Sequence, residues 1–241
     1  MTEKRRNTAP KKKRKPGTQL AYDYIKRSIL SLDFAPGKSL VEKDIVKQLG
    51  VSRTPVREAL IKLASEGLVE MRQNRGARVT DITLLDMREF FEAMDVTQRM
   101  VTKFAAMRIQ PSALEALRKH VQEFDSHAAE GNVSGMQEAN YRFHAMIAAN
   151  CGNKIVEEQY LKLLSIGERI AYYSLAYEGS HNAQGSSTGL EEIGKQHRDM
   201  LTFLVEGRAD KAEDIARKHV ETFRKRVMSS ITASLAPAIN I

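Results

Sequence analysis

The first third of the chain alternates short apolar groups with turn-forming residues, a pattern that predicts several short elements. Thr18 is a residue type that caps helices, and the apolar positions after it recur at helical spacing: Leu20, Ile25, Ile29 and Leu30. Pro36 and Gly37 end this helix. A second helix is predicted over residues 42–49, and a third, capped by Ser52, runs to residue 67 after a turn at Gly50.

Two short strands are predicted after these helices, Leu68–Met71 and Ala77–Thr80, around a turn at residues 73–76. The order of helix, helix, turn, helix and hairpin predicts a winged helix-turn-helix over residues 18–80. In that arrangement one helix enters a groove of duplex DNA and the hairpin contacts the flanking backbone.

From residue 81 onward the apolar positions follow the helical period almost to the end of the chain. Six helices are predicted, at about 83–108, 111–131, 133–150, 153–177, 190–206 and 210–233. Asp210 and Glu213 form a capping-box pattern for the last helix, and the Gly- and Ser-rich stretch 179–189 is predicted to be a loop. The expected fold class is mainly α, with an N-terminal winged helix-turn-helix, a C-terminal all-α six-helix bundle over residues 81–235 and a short tail at 236–241.

Charge divides the chain at the same place as the apolar pattern. Residues 1–80 hold 19 Lys and Arg against 8 Asp and Glu, whereas residues 81–241 hold 19 against 22. The basic first third indicates an anionic partner, and duplex DNA fits the winged domain. Residues 1–17 are polar and basic, so we expect a disordered arm that follows DNA phosphates, although the run Lys11–Lys15 also resembles a nuclear import signal.

The single cysteine, Cys151, excludes an intramolecular disulfide and suits a reducing compartment. It lies near a predicted helix end, where a buried small apolar residue is expected instead of a nucleophile. No apolar run approaches the length of a membrane span, and the basic N-terminus lacks the apolar core of a signal peptide. We therefore expect a cytoplasmic protein without a membrane partner.

Side chains that suit DNA recognition cluster at the start of the third predicted helix. Arg53, Thr54 and Arg57 occupy its first turns, which point at base edges when such a helix enters the major groove. An arginine fork matches the O6 and N7 atoms of guanine, and hydroxyl groups suit phosphates. Further contacts are predicted to the DNA backbone from Lys43 and, at the wing tip, to the minor groove from Asn74, Arg75 and Gly76.

The segment VSRTPVREAL at residues 51–60, followed by Leu63 and by EGLV at residues 66–69, resembles the signature of GntR-type bacterial transcription regulators. The resemblance covers residues 18–80. It implies a winged domain that binds operator DNA as a dimer. The contacts that it implies come from Lys43, Ser52, Arg53, Thr54, Arg57 and Gly76.

Three histidines and one asparagine of the helical region form a second candidate site. Asn140 and His144 stand four residues apart and share one helix face, while His197 and His219 lie in the last two predicted helices. Imidazoles from several helices can converge on a transition metal in a bundle, and Zn²⁺ or Ni²⁺ suits such ligands better than Mg²⁺ or Ca²⁺. Spacing alone leaves open that these histidines are ordinary core or surface residues.

The helical region also resembles the C-terminal effector domain, called FCD, of the FadR-like branch of GntR regulators. Metal-binding members of that branch carry Asp or Asn, then His four residues later, and two further histidines on the last two helices. The motif NYRFH at residues 140–144 matches the first part. The resemblance implies a metal site that anchors a small organic acid, with the ligands Asn140, His144, His197 and His219.

One part of the effector site departs from the family pattern. Many members carry Arg and Glu on the first effector-domain helix, where this chain has Met94 and Gln98, so a charged contact to the effector is missing. Arg169, on the fourth helix of the domain, is the candidate replacement and therefore a candidate effector-binding residue. Asn140 in place of a carboxylate leaves the site one negative charge poorer, which favours an anionic effector.

The leading hypothesis is a metabolite-responsive transcriptional repressor. A homodimer would bind a palindromic operator and leave it when a small organic acid binds at the metal site. The alternative is an architectural DNA-binding protein whose helical domain only dimerises and binds neither metal nor acid. A metal-dependent hydrolase is remote, because no HExxH-type motif with a general base accompanies the histidines, and we expect no catalytic residues.

Overall fold

The computed structural model describes residues 16–31, 33–73, 76–81, 84–181 and 187–235. Within these residues the chain forms nine helices and one three-stranded sheet. The helices are α1 Gly17–Leu30, α2 Glu42–Leu49, α3 Arg53–Ser65, α4 Leu84–Arg108, α5 Pro111–Ala129, α6 Val133–Ala149, α7 Lys154–His181, α8 Ser187–Val205 and α9 Ala209–Leu235. The strands are β1 Ser39–Leu40, β2 Val69–Arg72 and β3 Gly76–Val79. The predicted fold class, a winged helix-turn-helix followed by a six-helix bundle, is confirmed.

The winged domain contains a strand that the apolar pattern did not predict. β1 has two residues, too few to show the alternation of a strand, and it pairs antiparallel with β3. The strand order is β1-β3-β2, and β2 pairs antiparallel with β3 from Val69 opposite Val79 to Arg72 opposite Gly76. The predicted hairpin is therefore present, and each bound of its strands lies one residue from the expected position.

Helix α1 packs against α3 over the core of the winged domain. Fully buried positions follow the helical period of both helices and include Ile25, Ile29, Val56, Leu60 and Leu63. Leu20, which the pattern assigned to the same face, is exposed. Gly50 ends α2 in the left-handed region with φ of 65°, and its N–H donates to the carbonyl of Val46, as the predicted turn requires.

Three predicted helix caps differ from the structure. Thr18 lies inside α1, and its hydroxyl donates to Glu58 of α3, so it joins two helices instead of capping one. Ser52 occupies the N-cap position of α3 but makes no side-chain capping bond. Asp210 lies within α9 and pairs with Lys103 of α4. The predicted helix starts lie within a few residues of the observed ones. Two of the three polar side chains, Thr18 and Asp210, bind residues of other helices instead of capping their own.

Helices α4 to α9 form the bundle, in which α4 packs against α9, α5 against α6, and α7 against α4, α6 and α9. Cys151 is fully buried, as expected for a small apolar residue. The loop predicted at residues 179–189 is helical at both ends, because α7 continues to His181 and α8 begins at Ser187. The largest fully buried side chains of the bundle are Leu117, Phe143, Ile147, Tyr160, Ile170, Met200 and Leu204.

Some predictions fall outside the described residues. These are the basic arm before Pro16, the C-terminal tail 236–241, and Asn74 and Arg75 at the predicted wing tip. Gly17, which was assigned to the arm, is the first residue of α1. In the part of the chain that the structure describes, no helix is both long and apolar enough to cross a membrane.

Candidate functional site

Helix α3 presents the predicted DNA-reading side chains at its N-terminal end. Its opposite face, including Val56 and Leu60, is buried in the core of the winged domain. The helix is therefore held by its apolar face and leaves its polar face open to a partner. The exposed residues at its start are Ser52, Arg53, Thr54 and Arg57.

An open groove collects basic residues from α2, α3 and the hairpin. Its lining residues are Val41, Glu42, Lys43, Arg53, Arg57, Met71, Arg72 and Gly76. Four predicted DNA contacts thus share one surface, which suits an anionic backbone. Arg72 at the end of β2 joins them, and sequence reasoning missed it because a lone arginine in a short strand carries no motif.

Gly76 has a structural role in this groove. Its φ is 78°, and a Cβ at this position would collide with the carbonyl oxygen of Leu40 on β1. β3 can therefore approach β1 this closely only with glycine at residue 76. The contact of Gly76 with DNA stays a prediction.

Three buried histidines from three helices meet inside the bundle. His144 of α6, His197 of α8 and His219 of α9 offer ring nitrogens that all lie within 4.8 Å of one another. The Nε2 atoms of His144 and His219 are 3.2 Å apart. The exposed fractions of the three residues are 2%, 0% and 7%, so the cluster is nearly dry. The structure brings these three predicted ligands together.

Apolar packing shields the cluster and sets its protonation. The rings of Phe124 and Phe143 each lie 4.8 Å from that of His197, measured between centroids. Burial lowers the pKa of His219 to about 4. Burial, and then the neighbouring imidazoles, also lower the pKa values of His144 and His197 well below the usual range. All three rings are therefore neutral at pH 7, the form in which imidazole binds a metal.

Gln196 orients one of the histidines. Its amide nitrogen donates to Glu192 Oε1 and Thr222 Oγ1, both at 2.9 Å, so its Oε1 accepts from Nδ1 of His219 at 3.0 Å. His219 therefore directs an unprotonated Nε2 at His144. The hydrogen-bond network assigns this tautomer. Sequence reasoning missed Gln196, because a glutamine beside a histidine carries no recognisable signal.

The histidine nitrogens fit a metal ion. Both ring nitrogens of His197 and Nδ1 of His144 are buried without a hydrogen-bond partner among the described residues. An unpaired buried polar group costs about 1–3 kcal/mol, and a metal would accept the lone pairs that converge here. Asn140 lies one turn before His144 on α6 and lines the same cavity as His144, so its side-chain oxygen is a candidate fourth ligand.

A cavity of about 60 Å³ adjoins two of the histidines, His144 and His219. Met94 and Gln98, the two positions that depart from the family pattern, both line it. Gln98 accepts a 3.3 Å hydrogen bond from Tyr160, and its buried Nε2 has no hydrogen-bond partner among the described residues. Much of the remaining wall is apolar and includes Phe124, Met136, Leu164, Leu190, Ile193, Val220 and Phe223.

Arg169 does not suit the effector contact that its charge suggested. It is buried on α7 at the junction with the winged domain, where its guanidinium donates to the Thr80 hydroxyl at 2.6 Å and to the Thr80 carbonyl. The described residues that line the cavity include Arg226 of α9 and not Arg169. The reason is geometric, since sequence alone does not tell which face of the 28-residue α7 meets which neighbour.

Comparisons with known proteins identify both parts of the chain. Residues 18–79 match the family described as bacterial regulatory proteins, gntR family, and residues 77–222 match the FCD domain. The chain belongs to the GntR family of bacterial regulatory proteins. Its helical region is an FCD domain, so the resemblance is confirmed for both segments.

Curated relatives of this GntR-family chain are transcriptional regulators. The HTH-type transcriptional repressor RspR of Escherichia coli K12 is 25% identical over 212 residues, which cover 88% of this chain and 89% of that protein. The Nta operon transcriptional regulator of Aminobacter aminovorans is 26% identical over 209 residues, covering 86% and 92%. The chain is therefore a DNA-binding transcriptional regulator and not an enzyme.

Solved structures share the fold of the GntR-family chain. E. coli McbR/YncC has a TM-score of 0.73 at 18% sequence identity, covering 92% of this chain and all of that chain. A GntR transcriptional regulator from Rhodococcus sp. RHA1 has a TM-score of 0.66 at 21% identity, covering 88% and 97%. At these identities the likeness concerns the fold alone.

Proposed function

We propose that this regulator is a homodimeric repressor of the bacterial cytoplasm that leaves a palindromic operator when a small organic acid binds at a metal site. The observation that carries the proposal is the convergence of three buried histidines beside a cavity. The histidine cluster is buried inside the FCD domain, whereas the DNA-reading surface is exposed on the winged domain. Sensing a small molecule explains the buried cluster better than contact with DNA.

The output surface is the groove formed by α2, α3 and the hairpin. Arg53 and Arg57 read guanine edges in the major groove, while Lys43, Ser52 and Thr54 bind phosphates. The wing enters the adjacent minor groove with Asn74, Arg75 and Gly76. A dimer carries two such surfaces, which is why we expect a palindromic operator with two half-sites.

The proposed metal ligands are His144, His197, His219 and Asn140. Three neutral imidazoles and one amide oxygen suit Zn²⁺ or Ni²⁺ better than cations that prefer oxygen alone. When bound, the metal supplies a fixed positive charge to which a carboxylate coordinates. Gln196 supports this role, because it keeps Nε2 of His219 unprotonated and directed at the cluster.

The proposed effector is a short-chain carboxylic acid with an apolar body. The cavity of about 60 Å³ is well below the roughly 150 Å³ that accommodates benzene in an engineered cavity of another protein. Gln98 Nε2 can donate to an acceptor atom of the acid, and Arg226 favours an anion. The apolar walls disfavour polyhydroxy acids, whose hydroxyl groups would lose water without gaining partners.

A thermal-unfolding screen on the full-length protein tests the effector. Acetate, propionate and butyrate should raise the unfolding temperature of the metal-loaded protein and not of the chelated protein, because binding to the native state alone stabilises it. Glucuronate has the same charge and serves as the control for size and polarity. If neither metal nor acid changes unfolding, an architectural DNA-binding protein with a merely dimerising helical domain becomes the better description.

A pair of histidine variants tests the metal site. His144→Ala removes one ligand and should leave the purified protein without bound metal, with the DNA affinity of the chelated wild-type protein. His120→Ala is the matched control, because His120 pairs with Glu123 and lies outside the cluster. Elemental analysis gives the metal content and a gel-shift titration gives the affinity. Metal retained at the wild-type level in His144→Ala would exclude the proposed ligand set.

A further inference from the structure

The winged domain and the FCD domain meet at a buried polar junction around Lys26 of α1. Lys26 Nζ lies 3.5 Å from Glu66 Oε2 within the winged domain and 3.6 Å from Glu168 Oε2 on α7 of the FCD domain. The ring of Tyr141 on α6 lies 5.0 Å from the same Nζ. The Lys26 and Glu168 side chains are only 15% and 9% exposed, so this ion pair is little screened by water.

Lys26 lies almost equally far from two carboxylates. Tyr22 donates its hydroxyl to both oxygens of Glu66, at 2.8 and 3.0 Å, so Glu66 has a second donor. Glu168 Oε2 is buried and lies beyond hydrogen-bond distance of Lys26, with no hydrogen-bond partner among the described residues. Burial raises the pKa of Glu168 to about 7, since the charge of Lys26 only partly offsets the loss of water. The charge of the Glu168 carboxylate therefore depends on Lys26 and is sensitive to any new charge nearby.

Glu168 also lines the cavity beside the histidines. The next residue, Arg169, holds the end of β3 through Thr80, whose hydroxyl in turn donates to the carbonyl of Gly67 at 2.9 Å. On α6, Tyr141 directly follows the cavity residue Asn140. Consecutive residues of α6 and α7 thus contact the cavity on one side and the DNA-binding domain on the other.

We propose that Glu168 is the positioning residue through which the content of the cavity sets the docking of the winged domain. This inference rests on the proposed function, because that function supplies the charged occupant. Glu168 lines the same cavity as His144 and His219, so a divalent cation held by the histidines would add positive charge on that side and would compete with Lys26 for the Glu168 carboxylate. Release of Lys26 loosens α1 from α7 and changes the relative placement of the two winged domains in a dimer, on which operator binding depends.

Distances between spin labels in the full-length protein test the junction without any ligand. Gln48→Cys on α2 and Glu115→Cys on α5 introduce labels at exposed positions of the two domains. The native Cys151 is fully buried, and the otherwise unsubstituted protein controls for its labelling. Dilution with unlabelled protein removes distances between the two chains of a dimer.

Three variants in this labelled background decide the role of the ion pair. Glu168→Gln and Lys26→Met should each broaden the distance distribution, and the double variant should broaden it no further than Lys26→Met alone, because Lys26→Met already lacks the contact with Glu168. Glu158→Gln changes an exposed glutamate of the same helix and should leave the distribution narrow. An unchanged distribution in Glu168→Gln, or additive broadening in the double variant, would overturn the proposal.

Zn²⁺ alone is the probe for coupling to the cavity. Zinc should shift the wild-type distribution toward that of Glu168→Gln and change the affinity for DNA selected in vitro by about 5- to 150-fold. Glu168→Gln should bind the same amount of zinc by elemental analysis and respond in neither measurement. An equal response in both proteins would overturn the role of Glu168. If neither protein takes up zinc, the proposed metal site is wrong, whereas the metal-free distances still decide whether Glu168 docks the winged domain.

Discussion

The DNA-reading surface and the histidine cluster are built in opposite ways. Arg53 and Arg57 belong to one short helix and are exposed, whereas the three histidines come from three helices and are almost completely buried. A surface that binds phosphates and bases has to stay accessible before binding, while a metal site needs neutral imidazoles in dry, fixed positions. Substitutions at the exposed surface should therefore change DNA affinity. Changes at the buried cluster should first change the free energy of unfolding.

Metal removal should produce the largest effect, and it acts on stability. A ligand that binds only the native state stabilises it by about 4 kcal/mol at a free concentration one thousand times its Kd. Zinc-loaded protein should therefore resist chemical denaturation by that amount more than chelated protein, as followed by circular dichroism. Arg57→Ala, a change in the exposed region, should keep the same zinc-dependent difference. Equal stability with and without zinc would mean that the histidines are packed side chains and not ligands.

Glu168 lies at the junction of the winged domain and the FCD domain, and its pKa predicts the next largest effect on stability. Burial raises the pKa of the folded group from 4.5 to about 7, so the native state keeps this proton to a higher pH than the unfolded state does. Below pH 4.5 the protonated Glu168 makes its full contribution to the free energy of unfolding. As the pH rises through the folded pKa of about 7, that contribution is lost, which lowers the free energy of unfolding by about 3 kcal/mol. Glu168→Gln avoids this loss, so it should stabilise the protein at pH 8 and much less at pH 5.

The positive charge of Lys26 beside Glu168 stays constant over this range. The pKa of Lys26 is lowered by burial but raised overall by Glu168, Tyr22 and Glu66, so Lys26 remains charged throughout. Denaturation at both pH values, with Glu158→Gln as the control, measures the difference. A stability difference that is the same at pH 5 and pH 8 would contradict burial as its cause. A variant that is more stable yet less firmly docked would show that this buried ion pair specifies geometry at a cost in stability.

The sequence predicted the exposed region more completely than the buried one. The turn at Gly50, the start of α3 and both hairpin strands depend on near neighbours, and their predicted bounds lie within one residue of the structure. Resemblance named the three histidines that converge. The direction of the Arg169 side chain, by contrast, depends on which faces of the long helices pack together. The local sequence pattern does not specify that packing.

Arg57→Ala tests the exposed region itself. Loss of a bidentate contact to guanine should weaken binding to the selected DNA by about 1–3 kcal/mol and relax base preference at one position. Lys47→Ala is the matched control, since Lys47 is exposed on α2 and does not line the groove. Gel-shift titrations measure affinity, and denaturation should reveal no loss of stability in either variant. Equal affinity losses in both would leave Arg57 with only a long-range charge effect.

Ser52→Ala should produce the smallest effect, and it separates structure from binding within the exposed region. Ser52 makes no capping bond to α3, whereas Asn132 caps α6 by accepting from the N–H of Gly135 at 3.0 Å. Asn132→Ala should therefore lower the free energy of unfolding by about 1 kcal/mol and Ser52→Ala by much less. If the Ser52 hydroxyl binds a phosphate, Ser52→Ala should weaken DNA binding by about 0.5–1.5 kcal/mol regardless of sequence. Equal destabilisation of both variants would mean that Ser52 caps α3, so that a residue of the DNA-reading surface also stabilises the fold.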